Sequence, residues 1–143
     1  MYNNHQNRPF LTHLREAHRH IREAISAVTC VLADRKLGDL RPAMIELSHQ
    51  LAEHFVEEET DGCAEEAVAR RPGLSPKVCR LWHEHSALLD DADRLIATID
   101  LEPLDEWTAR FDDLQRRLEE HLQCEVSVVE AGLNADRELE SLE

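Results

Sequence analysis

The chain has 143 residues, a formal net charge of −14, 42% hydrophobic residues and only 4% aromatic residues. This length suits one domain with a single buried core, and the hydrophobic fraction is too high for disorder by composition. A strongly acidic surface repels nucleic-acid phosphates and anionic membranes, so we expect neither as a partner. The chain has no apolar run of membrane-spanning length, and its polar start lacks the apolar region of a signal peptide. We therefore predict a cytoplasmic protein.

Apolar residues recur every three or four positions in four segments, which is typical of amphipathic helices. The predicted helices span about 10–35, 42–71, 75–99 and 104–132. Glycine or proline interrupts the chain between them, and the connections are too short for long crossovers. The predicted fold is therefore all-α, an antiparallel up-down-up-down four-helix bundle.

We expect one domain over residues 1–143, with no linker and no second domain. Its core spans about 10–132. A polar N-terminal arm covers 1–9, and an acidic C-terminal tail covers 133–143.

One histidine continues the apolar stripe of each predicted helix, and two of the helices add a glutamate. The side chains on the stripes are His18, His54 and Glu58, His85, and His121 and Glu125. Each His/Glu pair is four residues apart, a step that rises about 6 Å along a helix and returns to nearly the same face. Glutamates are seldom buried alone, and imidazole beside carboxylate suits a redox metal in a bundle core. The pattern predicts a buried site for two metal ions.

The other histidines test this choice of helical register. We predict that His5, His49 and His83 are solvated, because they lie off the stripes. His13 and His20 flank His18, so an error in register would bring one of them into the site instead. A lone histidine on an apolar face is commonly a hydrogen-bonded core residue, but one such histidine on each of four helices favours a metal site.

The arrangement resembles the hemerythrin-like, or HHE cation-binding, family. The matching segments are 16–22 in the first helix, 54–59 in the second, 83–85 with Leu88 and Leu89 in the third, and 121–125 in the fourth. The resemblance implies a four-helix bundle that holds two Fe ions, joined by an oxo or hydroxo bridge and by two carboxylates. It implies Glu58 and Glu125 as the bridging carboxylates, and His18, His54, His85 and His121 as terminal ligands.

The sequence departs from the oxygen-carrying members of that family in two ways. These members have a second histidine four residues away on the third helix, whereas Leu81 and Leu89 flank His85 here. They also end with an aspartate five residues after the last histidine, where this chain has Val126. The resemblance is therefore to variants with four histidines, in which one iron has an open position or another ligand. Cys63, which follows a glycine near the site, is one candidate for that ligand.

The function predicted from these features is that of a non-haem di-iron protein that binds dioxygen, nitric oxide or peroxide for sensing, binding or detoxification. Three alternatives remain open: a di-iron oxidase or peroxidase, an iron-buffering protein, and a metal-free helical interaction domain. Manganese or zinc would also fit the ligands. The pattern identifies no protein partner or electron donor and leaves open whether the chain is an enzyme.

Overall fold

The computed structural model describes the backbone of residues 2–142 and the side chains of residues 11–60 and 62–132. The backbone of this part forms five α-helices and no strand, so the all-α prediction is confirmed. The helices are α1 Tyr2–Ala33, α2 Leu40–Asp61, α3 Cys63–Arg70, α4 Ser75–Ala97 and α5 Leu104–Leu142. No helix in the described part of the chain is both long enough and apolar enough to cross a membrane.

The structure and the sequence prediction differ at the helix ends. α1 and α5 extend beyond the predicted bounds of 10 and 132, to Tyr2 and Leu142. The side chains of 1–10 and 133–143 lie outside the described residues, so the division into arm, core and tail stays a prediction.

The second predicted helix is two helices, which corrects the predicted span of about 42–71. α2 ends at Asp61 because Gly62 adopts a left-handed conformation with φ of 77°. Glycine reaches this region without steric cost, whereas other residues are strained there. A new helical ladder then begins as the Glu66 amide donates to the Gly62 carbonyl over 2.9 Å. The break therefore places Glu58 in the last turn of α2 and leaves α3 as a separate short helix.

Two of the pairs of contacting helices, α1 with α5 and α2 with α4, run in opposite directions. α1 contacts α2 and α5, and α4 contacts the same two helices. Between α1 and α5, Arg15 pairs with Glu130 while Arg22 pairs with Glu119, so residue numbers rise on one helix as they fall on the other. Pairs between α2 and α4 follow the same rule, namely Ser48 with Asp93 and Glu59 with His85.

Nearly all the buried apolar side chains among the described residues fall into two separate clusters. The larger one lies among α1, α2, α4 and α5 and includes Ile21, Leu47, Leu51, Leu88 and Phe111. The smaller one consists of Ala67, Leu74, Val78, Leu81 and Val128. On α4, His85 lies between Leu81 of the smaller cluster and Leu88 of the larger one. A layer of polar side chains therefore lies between two apolar regions.

Gly132 sets how closely α3 approaches α5, and we expect Gly132→Val to lower the free energy of unfolding by about 1–3 kcal/mol. A Cβ atom at this position would lie 3.0 Å from both Cα and Cβ of Ala67, so α3 would have to move. Urea unfolding measures the effect. Gly38→Ala is the control, because a Cβ there meets nothing within 4 Å. A Gly132→Val protein as stable as the wild type would contradict this close packing.

Candidate metal centre

The six side chains selected by the stripes lie together in the polar layer. His18, His54, His85, His121 and Glu125 are the buried polar residues among the described side chains. The Glu58 side chain is 14% exposed and lies beside them. The prediction that these residues face the interior is therefore confirmed.

Glu125 on α5 is the centre of the contacts. Its two carboxylate oxygens lie 3.0 Å from Nε2 of His54 and 2.9 Å from Nε2 of His121. Nε2 of His18 is 3.5 Å away. One carboxylate thus meets imidazoles from three helices, because α5 turns its Glu125 side chain inwards one turn after His121.

Glu58 on α2 joins the same set from the opposite helix. Its Oε1 lies 3.2 Å from Nε2 of His54, and its Oε2 lies 3.3 Å from Nε2 of His85. The two oxygens of this carboxylate therefore face two different histidines. Glu58 contacts His54 because residues four positions apart on a helix lie on the same face.

These contacts define two overlapping groups that could hold metal ions. One consists of His18, His54, Glu58 and Glu125, and the other of His85, His121, Glu58 and Glu125. Within each group, one potential ligand atom from every residue lies within 4.8 Å of the others. The two carboxylates belong to both groups, whereas each histidine belongs to one.

The histidines that lie off the stripes stay outside the two groups. The side chains of His13 and His49 are 64% and 61% exposed and pair with Glu57 and Glu53. His20 and His83 are also exposed. The predicted register is therefore confirmed for these residues, while His5 lies outside the described side chains.

Cys63 belongs to neither metal group. It lines a small cavity beside the site together with both glutamates and a set of apolar side chains. The apolar lining includes Leu14, Leu81, Trp82 and Val128. The cavity volume is about 40 Å³, which is room for a molecule of two or three heavy atoms, since one water needs about 10–15 Å³ on this measure.

Several buried nitrogens of the site lack hydrogen-bond partners, and this is the observation that tests whether the residues fit a metal. Both ring nitrogens of His18 and His121, and Nε2 of His85, have none among the described residues. Buried polar atoms are normally satisfied, and each exception costs about 1–3 kcal/mol. Their Nε2 atoms lie close to carboxylate oxygens without forming aligned hydrogen bonds. Imidazole and carboxylate donors of this kind fit divalent iron, manganese or zinc.

Burial keeps two of these imidazoles neutral at neutral pH. Desolvation lowers the pKa of His18 to about 4, and the neighbouring His54 adds to the effect. Desolvation likewise lowers the pKa of His121 to about 4, with a further contribution from His85. A neutral imidazole offers a nitrogen lone pair, which is the form that binds a metal.

Three contacts of the site were not predicted from the sequence. Phe55 stacks on the His85 ring with centroids 4.0 Å apart and an angle of 9° between the planes. Oε1 of Glu59 lies 3.1 Å from Nδ1 of His85. Oε2 of Glu84 lies 3.5 Å from Nδ1 of His121. A search for partners of the second ring nitrogen would have raised the two glutamates as candidates, but the stripe rule alone places them outside the core.

The lowered histidine pKa values predict that the metal-free protein loses stability in mild acid. The unfolded chain takes up protons at His18 and His121 as pH falls below 6.5, whereas the folded chain does so only near pH 4. The free energy of unfolding should therefore fall as pH drops from 6.5 to 4, by roughly 3 kcal/mol for each histidine. Urea unfolding across this range measures the effect. In His18→Leu, the free energy of unfolding should fall less steeply with decreasing pH. An equally steep fall would show that protonation of His18 does not contribute to it.

The described helices bury four histidines around two shared carboxylates, an arrangement that could hold metal cations. Comparison with protein families gives a match over residues 10–131 to the hemerythrin HHE cation binding domain. The chain therefore belongs to the hemerythrin HHE family, as the sequence motifs predicted. No curated protein and no solved structure matches the chain.

Proposed function

We propose that this chain is a non-haem di-iron protein that binds dioxygen or a related small molecule, namely nitric oxide or peroxide. The observation that carries the proposal is the pair of overlapping groups that share Glu58 and Glu125. A carboxylate common to two ligand sets suits a bridge between two ions, whereas a single ion would leave one pair of histidines without a role.

In this proposal, His18 and His54 hold one iron, and His85 and His121 hold the other. Glu58 and Glu125, which belong to both groups, would hold both ions. The sequence alone led us to expect an open position or another ligand on one iron. Because the two groups contain the same number of histidines, we propose instead that the absent fifth histidine leaves both ions with four protein donors and room for further ligands.

The helix arrangement supports this ligand set. We propose that α1, α2, α4 and α5 are the four helices of an up-down-up-down bundle, with α3 in the connection after α2. The opposite directions of α1 and α5, and of α2 and α4, support this topology. Each of the four long helices then contributes one histidine at the same level.

The cavity beside Glu58 and Glu125 supports a small ligand. Its volume of about 40 Å³ suits a diatomic molecule or peroxide and is too small for an organic substrate. Apolar side chains such as Leu81, Trp82 and Val128 line it and limit the access of water. Two iron ions, when bound, would supply the electrons for redox chemistry with such a ligand. The protein contributes by holding neutral imidazoles and by keeping the cavity small and apolar.

Metal quantification with an optical spectrum tests this proposal most directly. Full-length protein prepared with iron should retain two iron ions per chain and show near-ultraviolet charge-transfer bands. Addition of dioxygen or nitric oxide to the reduced protein should then change the spectrum. Sustained turnover of peroxide or nitric oxide in stopped flow would favour the enzyme alternative. Absence of bound iron, with thermal stability unchanged by adding iron, would overturn the proposal.

A further inference from the structure

His85 is in contact with two consecutive glutamates of α2, one at each ring nitrogen. Nε2 of His85 lies 3.3 Å from Oε2 of Glu58. Nδ1 of the same ring lies 3.1 Å from Oε1 of Glu59 and meets the criteria of a hydrogen bond. The imidazole of α4 therefore lies between two carboxylates that come from the last turn of one neighbouring helix.

The hydrogen-bond pattern assigns the proton of this ring. A neutral imidazole carries one N–H, and only the Nδ1 side has an aligned acceptor, since Nε2 has no hydrogen-bond partner. Because an ionised carboxylate only accepts, Nδ1–H donates to Glu59, and Nε2 is left facing Glu58. At 3.3 Å, the Nε2 atom and the Glu58 oxygen attract each other when a proton or a metal ion lies between them. Glu59 thus selects the tautomer in which Nε2 can bind a metal.

Glu59 also fixes which edge of the ring faces the site. A half-turn of an imidazole about its Cβ–Cγ bond exchanges Nε2 for a carbon atom. Phe55, which is 2% exposed, stacks on one face of the His85 ring. This stacking is the same in both orientations, so the partners of the ring nitrogens decide between them. The bond to Glu59 makes the orientation with Nε2 inwards the favourable one.

The outer ring nitrogens of His18 in the other metal group and of His121 in the same group lack such a bond. Nδ1 of His18 has no hydrogen-bond partner among the described residues. Nδ1 of His121 lies 3.5 Å from Oε2 of Glu84, but this contact is not aligned as a hydrogen bond. Among these three histidines, the aligned contact between the outer ring nitrogen and a carboxylate is therefore made at His85. This contact orients one ligand of the His85–His121 group, and His18 of the other group has no counterpart to it.

We propose that Glu59 is a positioning residue that makes the His85–His121 group the tighter of the two metal positions, so that the two ions bind in order and this group fills first. The inference rests on the proposed function. A carboxylate on the outer nitrogen of a histidine ligand fixes its orientation and raises its basicity, and its loss typically weakens metal binding by about 10–100-fold. The Glu59 side chain is 48% exposed, so its removal leaves no buried gap.

Titration of the full-length metal-free protein with Co²⁺, followed by visible absorption and a competing chelator, tests the order of binding. The wild type should show a tight step and a weaker step. Glu59→Ala should weaken the tight step about 10–100-fold and leave the weaker step in place. Glu59→Gln, which retains an acceptor oxygen, should recover most of the affinity. Glu57→Ala is the control, because this neighbouring carboxylate is exposed and pairs with His13.

Two further variants identify which group gives each step. His85→Ala should abolish the tight step, and His18→Ala should abolish the weaker one. The opposite assignment would overturn the inference, and so would two unchanged steps in Glu59→Ala.

The tautomer gives a readout that needs no metal. In ¹⁵N-histidine NMR of the metal-free protein, His85 should be the Nδ1–H tautomer in the wild type and a mixture in Glu59→Ala. If the wild-type protein has this tautomer but binds neither Co²⁺ nor Fe²⁺, the proposed function is overturned, and the binding order with it. A protein that binds two ions with His85 as the Nε2–H tautomer in its metal-free form would overturn the inference alone.

Discussion

Glu125→Ala should abolish the retention of both metal ions, whereas His18→Ala should leave one ion bound. The difference follows from the geometry, because Glu125 belongs to both metal groups and His18 to one. Loss of a direct ligand should cost each ion more than the roughly 10–100-fold that loss of an outer partner costs. Metal analysis of desalted protein, expressed with iron in the medium, gives the number of ions per chain. Glu125→Gln keeps the side-chain volume and should show the same loss.

Two histidines of α2 provide the matched control for this experiment. His54 is buried against both carboxylates, whereas the His49 side chain is 61% exposed and pairs with Glu53. His54→Ala should lose metal and stability, and His49→Ala should lose neither. Equal metal loss in the two variants would show that the helical register is wrong, and a single ion retained by Glu125→Ala would exclude a bridging role.

Removal of the metal should lower the thermal stability more than any single surface substitution. The metal-free site contains buried imidazole nitrogens without partners, and bound ions satisfy them. A ligand that binds only the folded state at a thousand times its dissociation constant stabilises that state by about 4 kcal/mol. For a chain of this size, this corresponds to a rise in Tm of roughly 10–15 °C.

Thermal unfolding of chelator-treated protein, before and after addition of Fe²⁺ under anaerobic conditions, measures this shift. Mg²⁺ is the control ion, because it prefers oxygen ligands and should not bind the histidines. Identical Tm values with and without Fe²⁺ would contradict the metal centre. Equal shifts with Fe²⁺ and Mg²⁺ would indicate a nonspecific effect of cations on an acidic surface.

The sequence was sufficient to find the buried polar side chains, because helical periodicity determines which residues share a face. His18 and His85 each fill a missing step between two leucine or isoleucine residues, and both are buried. His13 and His83 fall off the stripes and are exposed. Position along one helix decides these cases, so no knowledge of the neighbouring helices was needed.

Contacts between helices could not be derived in the same way. Glu59 follows Glu58 directly and lies about 100° further round α2, which places it on the surface side of the stripe. Whether such a side chain reaches His85 depends on how α2 and α4 are rotated and spaced. The break at Gly62 was missed for a similar reason, since its positive φ places α3 against Gly132, far away in the sequence.

The polar layer between the two apolar clusters has a consequence for how the molecule opens. Val78, Leu81 and Val128 belong to the smaller cluster, whereas Leu47 and Phe111 belong to the larger one. Without metal, the amide hydrogens of α3 and the start of α4 should exchange with solvent by partial opening, independently of the larger cluster. Ions bound across the layer would join the two regions, so that both would exchange only when the whole chain unfolds.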